Sequence, residues 1–162
     1  MLTDLYSRWA PLHETGRDLD ELDEALLQSR SLSRDLLCNV TRHCARFSSM
    51  RQSGKAVALD RMIEAGAWTD AVIALIALEL THWSIRRIVW VDREWLCFLS
   101  RQPSLPIFLD EVAEASHPVL ALAILRAFVA AGRKAAVTQQ AAVSVPQVRS
   151  APAFVLCSDN LS

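Results

Sequence analysis

Glycine is scarce in this sequence, with four residues in 162. Gly16, Gly54, Gly66 and Gly132 stand alone, so neither a G-x-G-x-x-G turn nor a phosphate-cradling P-loop can be built. The G-x-S-x-G elbow, the H-E-x-x-H zinc helix and the C-x-x-C pair are missing too. These absences remove several large enzyme classes. Proline is absent from Leu12 through Gln102, which permits long helices there. Excess charge is also lacking. The formal net charge is −1, so bulk charge recruits neither nucleic acid nor an anionic membrane. No run approaches the 18 or so apolar residues of a membrane span. Met1 to Arg17 carries Asp4, Arg8 and Glu14 without an apolar stretch, so no signal peptide is expected. The four cysteines, Cys38, Cys44, Cys97 and Cys157, form no framework pattern, and free thiols in a reducing cytoplasm are the default.

What is present is apolar material at regular spacing. Apolar residues make up 52% of the chain, enough to build a core without disulfides. Residues 1–35 hold four arginines against eight carboxylates. Residues 36–61 hold five basic side chains against Asp60 alone. An acidic helix start folded beside a basic one accounts for this polarity. From Asp18 to Phe47, Leu19, Leu22, Leu26, Leu36, Val40 and Phe47 recur at helical spacing, with a break expected at Ser29–Ser33 and Ser33 as the new N-cap. Lys55 to Ala65 reads as a short amphipathic helix ended by Gly66. Thr69 then caps a helix from Asp70 to Leu80 that is apolar nearly all round and therefore buried.

The period then changes to two. Ile85, Arg87, Val89 and Val91 alternate with Ser84, Arg86, Ile88 and Trp90, and Trp95, Cys97 and Leu99 alternate with Leu96, Phe98 and Ser100. With a turn at Asp92–Arg93–Glu94 this predicts a β-hairpin. Alternation places Arg87 on one strand face and Arg86 with Trp90 on the other. Gln102 to Leu109 reads as an extended connector and Asp110 to Ser116 as a helical turn. Pro118 opens a last core helix that stops near Gly132, although the following alanines could prolong it to about Ala142. The expected architecture is α+β: mostly helical, with one antiparallel hairpin packed on N-terminal, central and C-terminal helices. Residues 1–134 form one domain. Residues 135–162 form a low-complexity tail, expected to be mobile, with an apolar patch at Phe154–Val155–Leu156.

Candidate chemistry is thin. Cys38, His43 and Cys44 are the nearest approach to a metal cluster. On a helix, however, Cys38 and His43 lie about 140° apart, too far round to converge on one ion. Glu79, His82, Cys97 and His117 could be drawn as a nucleophilic set, but nothing in the sequence brings them together. Glu111 and Glu114 fit the start of the helical turn. Arg86 and Trp90, with Arg87, suggest a cationic and aromatic platform for nucleic acid, without any accompanying motif. The hairpin gives the stronger argument. Both its faces carry large apolar groups, and a two-stranded hairpin needs cover. One face packs on helices, and the other calls for a partner, most simply a second copy.

Four segments resemble small bacterial proteins without an established activity. They are Gly66-Ala67-Trp68-Thr69-Asp70-Ala71, Trp83-x-Ile85-Arg86-Arg87, Ser100-Arg101-Gln102-Pro103-x-Leu105-Pro106 and Glu114-Ala115-Ser116-His117. The resemblance runs over about residues 66–128 and implies only a bacterial, cytoplasmic setting. The resulting expectation is a non-enzymatic interaction or accessory protein that self-associates through the hairpin, with Arg86, Trp90, Trp95 and Phe98 as interaction residues. No catalytic or metal-binding residue, cofactor or membrane partner is assigned. A nucleic-acid-binding alternative requires Arg86, Arg87 and the Arg42–Arg46–Arg51 side on one face. An enzyme alternative requires Cys97, His82 and His117 together.

Overall fold

The computed structural model describes residues 16–143. Their elements are α1 (Gly16–Gln28), α2 (Arg34–Arg42), α3 (Ala45–Ser49), α4 (Gly54–Glu64) and α5 (Trp68–Glu79). The strands β1 (Ser84–Val91), β2 (Glu94–Ser100) and β3 (Val112–His117) follow, and then α6 (Leu120–Val143). The protein is α+β and mostly helical, as the periodicity predicts. None of these helices is long and apolar enough to cross a membrane. The Phe154–Val155–Leu156 patch and Cys157 lie outside the described residues.

Local chemistry explains most boundaries. Ser33 begins α2 as its N-cap, its hydroxyl accepting the Leu36 N–H at 3.3 Å. Ser53 does the same for α4 through the Ala56 N–H. Gly66, at φ +70°, ends the α4 region in the left-handed conformation that glycine adopts without strain. Thr69 falls inside α5 rather than capping it; the N-cap is Ala67. Val72, Leu75, Ile76 and Leu78 of α5 are all buried. Each such side chain contributes about 1.5–3 kcal/mol of transfer free energy.

Packing proceeds in layers. The sheet lies on α6, α6 touches α1 and α5, and α5 carries α3 and α4 on its far side. Ala121, Leu122, Ala123, Ile124, Leu125, Ala127, Phe128 and Val129 are all buried, so α6 is covered nearly all round over this stretch. The alanines let neighbouring elements come close. Its arginines hold α1: Arg126 pairs with Asp23 at 2.9 Å and Arg133 with Asp20 at 2.9 Å. The acidic first helix is thus neutralised by α6 and not by the basic segment that follows it in sequence.

The sheet departs most from expectation. It has three antiparallel strands in the order β1-β2-β3, not a lone hairpin. The third strand, β3, occupies most of the stretch read as a helical turn. Ala113 and His117 are buried and Glu114 is exposed, so the strand alternates. Its alanines, serine and glutamate are weak strand formers, and pairing with β2 overrides that preference. The last helix also runs past Gly132 to Val143. A Cβ at Gly132 would meet nothing within 4 Å, so this glycine has no packing role that would end the helix.

Candidate interaction surface

β1 and β2 are joined by a two-residue turn, Asp92–Arg93, between the paired residues Val91 and Glu94. Both turn residues have positive φ, 51° and 67°. This is the type I′ pattern, which suits the right-handed twist of a hairpin but normally uses glycine or asparagine. Left-handed backbone costs a residue with a Cβ about 1–2 kcal/mol.

The strand register then assigns each side chain to a face. Ile85 pairs with Leu99, whereas Arg87 pairs with Phe98, so β1 carries one extra residue at Arg86. This bulge puts Arg86 and Arg87 on the same side. Ile85, Ile88 and Trp90 join Trp95, Cys97, Leu99, Ala113, Ala115 and His117 on the helix-facing side. Ser84, Arg86, Arg87, Val89, Val91, Glu94, Leu96, Phe98, Ser100, Val112, Glu114 and Ser116 form the outer face. Plain alternation had separated Arg86 from Arg87 and grouped Arg86 with Trp90. The bulge reverses both statements.

The interaction residues named from sequence therefore fall into three settings. Trp90 packs against Trp95 in a tilted pair, with ring centroids 5.1 Å apart and planes at 58°. α6 packs on β2 and β3, and Trp90 stays 52% exposed at the hairpin's far end. Phe98 lies on the opposite face, half-buried, with the Arg87 guanidinium 5.3 Å above its ring centre. Arg86 is not a free surface cation at all. It pairs with Asp110 at 2.7 Å and donates to the Leu105 carbonyl at 3.0 Å.

Asp110 ties down the loop between β2 and β3. Its carboxylate also accepts the Ser100 hydroxyl and, at 2.8 Å, the Gln102 N–H. Burial would push this carboxyl up. The hydrogen bonds from Ser100, Gln102 and Arg86, with the Arg86 charge, outweigh it and hold the group below its ordinary range. Arg101 N–H to Glu111 carbonyl and an Arg101–Glu111 ion pair close the loop's base. The loop then presents Ile107, Phe108 and Leu109 to solvent, 57%, 81% and 63% exposed. Sequence reasoning treated this segment only as a connector. Its signal was three large apolar residues in a row between Pro106 and Asp110.

The catalytic set is not assembled. Cys97 is fully buried under α6, and burial pushes its thiol up to about 12, so it is no nucleophile near neutral pH. His117 is on the same face, with Nδ1 accepting the Val119 N–H at 2.9 Å, whereas His82 is exposed in the turn after α5. Glu79 points the other way. It accepts the N–H groups of Phe47 at 3.0 Å and Arg46 at 3.3 Å, at the start of α3. Nor does the nucleic-acid requirement hold. Arg42, Arg46 and Arg51 belong to the α2–α4 region, which makes no substantial contact with the sheet that bears Arg86 and Arg87, and Arg86 is engaged by Asp110.

Among the described residues, no group of three His, Cys, Asp or Glu could hold a metal ion. Of the Cys38, His43 and Cys44 set, Cys44 is buried with its thiol donating to the Val40 carbonyl at 3.5 Å. His43, Cys44 and Glu79 do line one small cavity, with Leu19, Leu22 and Phe128 among its walls. Its ≈ 20 Å³ admits about one water molecule and no substrate. Burial, reinforced by the nearby Glu79 carboxylate, pushes the Cys44 thiol well up. No family model matches the chain, and neither does any curated protein or solved structure.

Proposed function

We propose that this is a non-enzymatic interaction or accessory protein that self-associates through its β1–β2 hairpin. One observation carries the reading. β1 has large apolar side chains on both faces, yet among the described residues it pairs only with β2 and no helix layer covers its outer side. On the outer face the exposed Val91 and the half-buried Val89, Leu96 and Phe98 leave apolar surface of the kind that marks an interface, and Trp90 stands exposed on the other face. Exposed tryptophans are frequent anchors of such surfaces. A reducing bacterial cytoplasm belongs to the same reading. Cys38, Cys44 and Cys97 are free thiols, and the stretch from 66 to 128 resembles bacterial proteins.

Native mass spectrometry of the full chain, purified at low salt from a bacterial lysate, tests this. A bare dimer is expected. A bare monomer over the micromolar range overturns self-association. A retained metal or small molecule would replace the interaction reading with an enzymatic or ligand-binding one.

A further inference from the structure

The outer face of the sheet carries a row of opposite charges about an aromatic centre. Arg87 pairs in register with Phe98, and Phe98 with Glu114, so the three lie on one line across β1, β2 and β3. Neighbouring strands are about 4.8 Å apart, which sets Arg87 and Glu114 about 10 Å from each other. They do not pair with one another, and neither has an ion-pair partner among the described residues. Both are exposed. The next row reads Val89, Leu96, Ser116, and the last, beside the turn, Val91 and Glu94. The line is therefore positive, apolar, negative, followed by an apolar step along β2.

We infer that this face is an interface for a second copy of the chain, related by a two-fold axis parallel to β2. The inference rests on the self-association proposed above and assigns it to one face. Rotation about that axis exchanges β1 with β3 and leaves each position along the strands unchanged. Phe98 then meets Phe98 and Leu96 meets Leu96, while the two Glu94 side chains face each other at the solvent-open turn end. Arg87 of each copy comes opposite Glu114 of the other, so one row supplies two ion pairs. Such self-complementarity is what an isologous contact requires. Sheets stacked face to face lie about 10 Å apart with strands within about 30° of alignment, a geometry that keeps central rows in register. The rotation also keeps both Arg101–Asp110 loops at the same end. Neither the Trp90–Trp95 side nor the free edge of β1 offers a comparable pairing of opposite charges.

The test is a charge exchange in the full-length protein, with dimer dissociation followed by light scattering on dilution at low salt. Arg87→Glu and Glu114→Arg each set like charges opposite one another twice per dimer, and each should weaken association about tenfold or more. The double variant R87E/E114R restores the pairs in reversed order and should return to near wild-type affinity. Both side chains are exposed, and circular dichroism checks that the variants fold. If either single variant leaves affinity unchanged, or the double variant stays as weak as the singles, the inference is overturned. Should Trp90→Asp then dissociate the dimer, self-association through the hairpin survives on its other face. A wild-type monomer overturns both.

Discussion

Arg93 occupies a backbone position that its own side chain disfavours. At φ 67° its Cβ crowds the neighbouring peptide, and the adjacent Asp92 at 51° only partly shares the advantage of asparagine and glycine there. Arg93→Gly removes the crowding, at some cost in unfolded-chain entropy. A net gain of about 0.5–1 kcal/mol is expected. Thermal unfolding should show this as a melting temperature a few degrees higher. A lower one would mean that the guanidinium offsets the strain through contacts of its own. Residue identities gave little notice of this turn, since Asp-Arg is not a type I′ pair. They gave none of Asp110, whose three donors come from Arg86, Ser100 and Gln102. A carboxylate between a leucine and a glutamate looks like ordinary surface until the loop closes over the sheet.

The five-residue helix α3 depends on a group from another element. The side chain of Cys44, its N-cap, caps none of the helix N–H groups, and the Glu79 carboxylate at the end of α5 receives them instead. Burial raises the Glu79 carboxyl, and the hydrogen bonds from Phe47 and Arg46, with the Arg46 charge, only partly reverse the shift. His43 and Cys44 face the same cavity. A carboxyl raised in the folded state binds its proton more tightly there than in the unfolded chain. It therefore adds to stability as pH falls through the raised value, and the addition levels off below the ordinary glutamate range. Glu79→Gln should lack this slope while keeping an acceptor for α3. Chemical denaturation from pH 7 to pH 4, variant against wild type, checks it. Parallel curves would show that Glu79 does not carry the dependence. Elements with a strong period were legible: α2 from Ser33, the buried α5, and the hairpin. β3 was not, because alanine, serine and glutamate signal no strand until β2 pairs with them. The faces of β1 were not either, because a bulge shifts the phase of alternation and leaves no mark in residue type.

At the scale of the molecule, the sheet forms one outer layer with a single helix behind most of it. A dimer through that layer would couple folding to association. Ligands that bind only the folded state stabilise it by mass action, and a second copy counts as one. The melting temperature of the wild type should therefore rise with protein concentration over the range in which the dimer forms. In Arg87→Glu the rise should move to higher concentration. A melting temperature independent of concentration in the wild type would argue for a folded monomer. The architecture and the hairpin could be read in advance because hydrophobic period is a local property. Which face stays open, and which charges share a row, follow from register, and register is set between strands.

The order of assembly follows from the position of α6. It comes last among the described elements, yet the sheet, α1 and α5 all pack against it. On the ribosome, α1, α5 and the sheet emerge before the α6 surface they share exists. The nascent protein can pack α3 and α4 on α5 and pair its strands, but the apolar faces that meet α6 stay open until α6 leaves the exit tunnel. A chain built this way completes its core late, and any pause in translation before α6 lengthens the interval in which those open faces depend on chaperones.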